Sequence, residues 1–222
     1  MSIKFSTRPF PFLMVLLLLA TSCNTSKTFQ GAMIGGALGG IIGGTMSKKG
    51  KKAKGILIGS TIGGAAGAVI GRYMDKQAEE LRKDMRGAKV ERVGEGILIT
   101  FDSGLLFDVD SYQLKSATRT NLNELSRVLK KYDDTEVLIQ GHTDSSGSDE
   151  HNLVLSNNRS KSVYGHLITQ GVGSSRLITM GLGESEPIAS NQTSSGRKQN
   201  RRVEIAIVAN KKLRKAAEKG EI

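Results

Sequence analysis

Twenty residues in the second half of the chain, GHTDSSGSDEHNLVLSNNRS (residues 141 to 160), bring together side chains that could do chemistry. They include two histidines, three acidic residues, an arginine and several serines. Such a set could bind a metal ion, activate a serine nucleophile, cleave a glycan with paired carboxylates, or hold a charged ligand without reacting. The spacing of the residues helps to choose among these possibilities.

The metal and catalytic interpretations each lack a necessary part. His142 and Asp144 share a face of a predicted strand, but no His-Glu-x-x-His or Cys-x-x-Cys pattern accompanies them. The stretch contains no Gly-x-Ser-x-Gly turn, and its serines are typical of ordinary turns. Asp144, Asp149 and Glu150 come without a recognisable glycosidase scaffold. We therefore predict no catalytic residue, no metal site and no cofactor, with a glycan hydrolase as a minor alternative.

A cation–anion pair is the remaining interpretation. Asp144 at the end of a strand and Arg159 inside the next helix can face one another across a cleft and offer opposite charges to a zwitterion. The alternative is a buried salt bridge that joins the strand to the helix. Because desolvation makes such a bridge a weak source of stability, a binding role is favoured.

Predicted strands and helices alternate around this stretch. Two short strands flank Gly94 to Gly96, and later strands cover TEVLIQGHT, SRLITMG and NRRVEIAIV. Helices are predicted over NLNELSRVLKKY, which has an apolar face, and from about Asp149 to Gly171. This order predicts an α/β fold, an α+β sandwich in which two helices cover one side of a sheet.

Three segments carry a family resemblance: GLLFDVDSYQLK, the stretch from Gly141 to Val172, and RLITMGLGESEPIASNQTSSGRKQNRRVEI. In order and spacing, residues 90 to 209 resemble the OmpA-like peptidoglycan-associated domain, with its Gly-His-Thr-Asp, Leu-Ser-x-x-Arg and Asn-Arg-Arg-Val-Glu elements. The resemblance implies a mixed sheet and noncovalent binding of the diaminopimelate of peptidoglycan stem peptides. Asp144 would take the ammonium group and Arg159 the carboxylate, bidentately.

The resemblance also implies further site residues. Thr143, Asn152 and Leu155 stand where the family has supporting contacts, and Asp110 where some relatives place a polar residue. Arg201 stands at the arginine that reaches the same pocket from the last strand. Neighbouring strand residues point to opposite faces, so only one of Arg201 and Arg202 can reach the pocket, and we expect the other to be solvated.

The first 22 residues have a basic start, an apolar run and small residues before a cysteine, which is typical of an export signal. LLATSC resembles the lipobox of bacterial lipoproteins, which implies cleavage before Cys23 and acylation of its thiol. A free thiol is the alternative. Asn24 implies delivery to the outer membrane, and residues 23 to 30 would form a short tether.

Glycine recurs at every fourth position from Gly31 to Gly43 and again from Gly55 to Gly71. The period predicts a glycine-zipper helical hairpin over residues 31 to 73 whose arms approach closely. Glycine destabilises isolated helices, so we expect a membrane-associated hairpin, with a soluble packed hairpin or a flexible spacer as alternatives. The lysines of the connecting SKKGKKAK could meet lipid phosphates.

Three more segments complete the predicted organisation. Residues 74 to 88 read as a helical linker whose Met74, Ala78, Leu81 and Met85 form a seam that could pair with a second copy. Residues 89 to 210 form the OmpA-like domain, and residues 211 to 222 a basic C-terminal tail.

The net charge of +11 favours anionic partners. Aromatic residues make up only 5% of the chain and no nucleic-acid motif is present, so nucleic acid is not an expected partner. The sequence predicts a non-enzymatic tether, lipid-anchored in the outer membrane with its C-terminal domain in the periplasm. Its partners would be peptidoglycan, outer-membrane lipid and a second copy bound through the glycine zipper. An assembly factor for outer-membrane proteins that acts through the hairpin is the alternative.

Overall fold

The computed structural model describes residues 53–222. Its strands are β1 (Ala88–Val93), β2 (Gly96–Asp102), β3 (Thr135–Gly141), β4 (Leu177–Gly181) and β5 (Arg202–Ala209). Its α-helices are α1 (Ala53–Gly59), α2 (Gly64–Asp84), α3 (Ser103–Leu106), α4 (Arg119–Lys131), α5 (Asp149–Thr169), α6 (Ser194–Asn200) and α7 (Lys211–Lys219). Short 3-10 turns precede α4 and β4.

The five strands form one mixed sheet in the order β1-β2-β5-β3-β4. β3 and β4 are parallel, and the other neighbouring strands are antiparallel. The parallel pair needs a crossover connection, which α5 supplies. The predicted mixed α/β fold is confirmed, and each predicted strand and helix of the OmpA-like region is present.

One face of the sheet, called here the core face, carries the main hydrophobic core. Ile99, Phe101, Val137 and Ile205 are buried there with apolar side chains of α4 and α5. Two glycines let α5 approach the sheet closely. A Cβ atom at Gly141 would overlap the carbonyl of Ser156, and one at Gly181 would overlap the backbone of Asn157. These glycines therefore fix the position of α5, which carries Arg159.

The predicted linker and the predicted tail are both part of this core. Met74, Ala78 and Leu81 of α2 are fully buried in the core-face cluster, and Met85 follows them. The seam is therefore filled within the chain, where these side chains pack into the domain's own core rather than against a second copy. α7 adds Leu213 and Ala217 to the same cluster, so residues 211 to 219 form a packed helix.

The opposite face of the sheet, called here the back face, carries Leu98, Leu138, Ala206 and Val208. α1 covers them with Ala53, Ile56 and Leu57, which are buried. The sheet therefore has helical cover on both faces, and α2 joins the two predicted helices on the core face.

The second glycine row does not form a continuous helix in the structure. α1 ends at Gly59 and α2 begins at Gly64, and Gly63 has a φ of 76°, a conformation that favours glycine. The carboxylate of Glu95, in the turn between β1 and β2, accepts hydrogen bonds from the backbone N–H groups of Ile62 (2.9 Å) and Gly63 (2.8 Å). A Cβ atom at Gly67 would overlap this carboxylate.

In this arm the glycines therefore serve contacts with the domain itself. Among residues 53–222, no helix combines the length and apolar character needed to cross a membrane. The signal segment 1 to 22, the tether 23 to 30 with Cys23, and the first arm of the predicted hairpin lie outside the described residues.

Candidate ligand-binding site

The candidate site lies where β3 ends and the chain turns toward α5. We call Asp144, Arg159 and Arg201, with Thr143 and Asn152, the Asp144 site. The backbone N–H of Thr143 donates to the Gly183 carbonyl at 2.9 Å, which holds the end of the strand against the loop after β4. α5 then begins with Ser148, whose hydroxyl accepts from the His151 N–H at 3.2 Å.

Asp144 is a buried carboxylate whose two oxygens both have partners. The residue is 4% exposed. Oδ1 accepts from the Ser146 N–H at 2.9 Å, and Oδ2 pairs with Nη1 of Arg201. Burial raises the pKa of Asp144, but the hydrogen bonds from Ser146 and the Arg201 guanidinium outweigh burial and hold the pKa below its usual value. Asp144 is therefore ionised at neutral pH.

Arg159 is also 4% exposed, yet most N–H groups of its guanidinium make no hydrogen bond within residues 53–222. Nε donates to the Ser111 carbonyl at 2.9 Å, and the guanidinium carbon lies 5.4 Å from the centroid of the Phe107 ring. Within residues 53–222, neither Nη group has a hydrogen-bond acceptor. Burial lowers the pKa of Arg159, whereas the negative charges of Asp110 and Asp144 raise it.

The structure brings Asp144 and Arg159 into one site but does not pair them directly. The ion pair of Asp144 is with Arg201, which lies 57 residues further along the chain. The simple salt bridge between strand and helix, considered above as an alternative, is therefore not formed. Of Arg201 and Arg202, Arg201 is the one that contacts Asp144.

The supporting residues take different positions. Asn152 donates from Nδ2 to the Asp144 carbonyl at 3.2 Å and to Oε2 of Glu184 at 2.7 Å. The hydroxyl of Thr143 is buried and has no hydrogen-bond partner in the described part of the chain. Leu155 is half-buried on α5, one turn before Arg159.

Asp110 lies at the edge of the site with a φ of 54°, which is unusual for a residue other than glycine. Its Oδ1 lies 2.7 Å from Nε2 of His151, and its charge acts on Arg159. Glu184 reaches the site from a loop, Ser111 through its backbone carbonyl and His151 from the first turn of α5. No sequence period marks such contacts.

The expectation that the other arginine, Arg202, is solvated is wrong. Its side chain is 3% exposed on the back face, and its Nε donates to Oε1 of Glu204 at 2.7 Å. His142 is buried beside them, with Nε2 3.9 Å from Oε2 of Glu204. Burial, followed by the charge of Arg202, holds the pKa of His142 well below its usual value, so this histidine is neutral.

The chemistry of the Asp144 site is that of binding a ligand of mixed charge. It presents one ionised carboxylate and two guanidinium groups, and the unused Nη groups of Arg159 match the geometry of a carboxylate. Among the residues that the structure describes, no group of three or more His, Cys, Asp or Glu side chains is arranged to hold a metal ion.

Two family models match the chain, the OmpA family over residues 106–201 and the YMGG-like Gly-zipper over residues 5–75. The probable lipoprotein YiaD of Escherichia coli (strain K12) is 44% identical over 183 residues, which cover 82% of this chain and 84% of that protein. The chain belongs to the OmpA family.

The OmpA-family match includes the Asp144 site. The peptidoglycan-binding protein ArfA of Mycobacterium tuberculosis (strain ATCC 25618 / H37Rv) is 42% identical over 103 residues, 46% of this chain and 32% of ArfA. Among solved structures, the cell wall anchor of the T6SS from Pseudomonas aeruginosa superposes on this OmpA-family protein with a TM-score of 0.53. Its sequence identity is 26%, over 64% of this chain and 97% of that structure.

Proposed function

We propose that the protein is a non-enzymatic tether between the outer membrane and peptidoglycan. An acylated Cys23 anchors the chain in the outer membrane, and the domain built on the sheet lies in the periplasm and binds peptidoglycan noncovalently. Because each single contact is reversible, many copies together would hold the two layers by multivalency.

The observation that carries the proposal is the state of Arg159. Its Nε is bonded to the Ser111 carbonyl, while its two Nη groups have no acceptor within residues 53–222, are not among the fully buried unpaired atoms, and are therefore open to a ligand. An ionised carboxylate, Asp144, lies in the same site. A free amino-acid end, with its ammonium and carboxylate on one carbon, has the complementary charges.

The relatives support a cell-wall ligand. ArfA is described as peptidoglycan-binding, the T6SS structure as a cell wall anchor and YiaD as a probable lipoprotein. Diaminopimelate, which keeps a free amino-acid end in many stem peptides, is the ligand that we propose. Its carboxylate binds the Nη groups of Arg159, and its ammonium binds Asp144. Thr143, next to Asp144 in the chain, is proposed as a supporting residue.

Co-sedimentation with isolated peptidoglycan tests the proposal. The full chain, purified in detergent, is expected to sediment with diaminopimelate-type peptidoglycan, and Arg159→Gln should lose at least about 90% of the bound fraction because the ligand carboxylate loses its bidentate partner. Lys161→Gln is the matched control, since it removes one positive charge from an exposed position on the same helix. Equal binding by wild type and Arg159→Gln would reject the site.

Two further measurements address the remaining parts of the proposal. Incubation of the purified protein with peptidoglycan should release no soluble muropeptides, and release would instead support the hydrolase alternative. Mass spectrometry of the mature N-terminus should find an acylated Cys23. A mature chain that retains residues 1 to 22, or a free thiol at Cys23, would reject the lipid anchor.

A further inference from the structure

Asp144 and Arg201 form an ion pair in which the two side chains differ in exposure to solvent. The Asp144 side chain is 6% exposed, whereas the Arg201 side chain is 43% exposed. Asp144 is held in place by the Ser146 N–H at Oδ1 and by Asn152 at its backbone carbonyl. Any movement that separates the two charges therefore falls to the Arg201 side chain.

The backbone of Arg201 is fixed while its side chain is not. Its N–H donates to the Arg197 carbonyl at 3.0 Å, and its own carbonyl accepts from the Ser103 N–H at 2.9 Å. The residue follows directly after α6 and precedes β5. The guanidinium can therefore leave Asp144 by side-chain rotation alone, on a timescale much faster than folding.

We propose that Arg201 is an internal competitor for Asp144, which makes the site selective for zwitterionic amino-acid ends over simple amines. The inference rests on the proposed function only for the identity of the natural ligand. In the ligand-free protein, the Arg201 guanidinium holds the position on Asp144 that an ammonium group would take.

The charges explain the selectivity. A simple amine that approaches Asp144 must displace Arg201 and adds a third positive charge beside Arg159 and Arg201, opposed only by Asp144 and by the more exposed Asp110 at the edge of the site. A zwitterion also brings its own carboxylate, which completes the Nη groups of Arg159 and gives the displaced Arg201 a new acceptor. Like charges brought together in a buried site oppose binding, so only the zwitterion has a favourable exchange.

The test compares two probes on the full-length protein in detergent by isothermal titration calorimetry. Meso-diaminopimelate is the zwitterionic probe, and cadaverine is the same carbon chain without its carboxylates. We expect wild type to prefer diaminopimelate strongly. Arg201→Gln should bind cadaverine about tenfold more tightly than wild type does, which lowers the ratio of the two dissociation constants by at least that factor.

Two variants complete the experiment. Lys198→Gln removes one positive charge three residues away, at a side chain that is 69% exposed, and should leave both dissociation constants unchanged. Arg201→Lys keeps a cation that can reach Asp144 and should restore most of the discrimination. Thermal unfolding of each variant shows whether the fold is retained.

The outcomes separate this inference from the proposed function. If wild type binds diaminopimelate and Arg201→Gln gains no affinity for cadaverine, Arg201 is an ordinary ligand contact and the inference is overturned. If wild type does not bind diaminopimelate, the proposed ligand is wrong, while a cadaverine gain in Arg201→Gln would still support the competitor role. A similar gain in Lys198→Gln would reduce the effect to general electrostatics and would also overturn the inference.

Discussion

Arg201 and Arg202 are adjacent in the sequence, yet their guanidinium groups lie in opposite surroundings. Arg201 is half-exposed and makes its ion pair across the Asp144 site. Arg202 is buried on the back face, where it pairs with Glu204 and also donates to the Asn200 carbonyl at 3.2 Å and the Glu186 carbonyl at 3.1 Å. Arg201 is the residue between α6 and β5, whereas Arg202 is the first residue of β5 and lies on its back face.

The surroundings of the two guanidinium groups distinguish a structural ion pair from one that a ligand can replace. Arg202 donates to Glu204 within β5, to Asn200 at the end of α6 and to Glu186 in the loop after β4, and its loss would leave the buried Glu204 carboxylate without a cation. The Asp144 site has one half-exposed partner and one guanidinium with unused donors, so its contacts can be exchanged for those of a ligand.

The largest expected effect compares the two arginines directly. Arg202→Met should destabilise the protein by about 3 to 5 kcal/mol, because it leaves Glu204 as an uncompensated buried charge. Arg201→Met should cost less than about 1 kcal/mol, since the side chain it removes is half-exposed. Urea unfolding of both variants under the same conditions measures the two losses. Similar losses of unfolding free energy in the two variants would show that Arg202 is no more important for stability than Arg201.

A smaller effect is expected at the glycine-rich arm that covers the back face. Glu95→Gln weakens the two hydrogen bonds that hold residues Ile62 and Gly63 at the start of α2. The loss should be about 1 kcal/mol, typical of a helix cap, with faster proteolysis between α1 and α2 and unchanged ligand binding. Glu91→Gln, whose partners are exposed lysines, is the control. If both variants unfold alike, the arm is not held by Glu95.

The last expected effect is a difference in pH dependence between Glu136 and Asp144. Burial raises the pKa of Glu136, at the far end of the back face, to about 7, although Arg214 partly opposes this. A carboxyl whose pKa is higher in the folded state than its ordinary value of 4.5 contributes stability below that value, and this is lost as the pH rises through about 7. Glu136→Gln should therefore gain stability over wild type as the pH is raised.

The pKa shift of Asp144 is opposite in sign to that of Glu136. Its pKa is lowered in the folded protein, so its contribution is present at neutral pH and is lost as the pH falls below its ordinary value of 3.8. Melting temperatures of wild type, Glu136→Gln and Asp144→Asn between pH 3 and pH 8 test both signs. Parallel curves for the three proteins would show that neither carboxyl is perturbed as described.

Local sequence patterns were enough to predict the sheet and its two main helices. Strand alternation and helix periodicity are properties of neighbouring residues, and the family elements gave the site its residues. The pairing of Asp144 with Arg201 rather than Arg159 depends on how α6 and β5 are placed, which no local pattern contains. The same holds for the burial of Arg202, since a strand pattern gives the two faces but not what covers them.

The packing partner of the glycine-rich arm could not be predicted from the sequence. A fourfold glycine row indicates that something packs closely against a helix, but it does not identify the partner. At Gly63 and Gly67 that partner is Glu95 in the protein's own β1–β2 turn. The seam of Met74, Ala78 and Leu81 is a related case, because an apolar helix face fits the protein's own core as well as a second copy.

Displacement from peptidoglycan tests directly whether the Asp144 site binds a zwitterionic amino-acid end. The full-length protein is bound to isolated diaminopimelate-type peptidoglycan, and free meso-diaminopimelate, cadaverine or pimelate is added at equal concentration. Meso-diaminopimelate should release the protein, whereas cadaverine and pimelate, which each carry only one sign of charge, should release little. Release by none of the three, or by all three to the same extent, would contradict a site that binds a zwitterionic amino-acid end through Asp144 and Arg159.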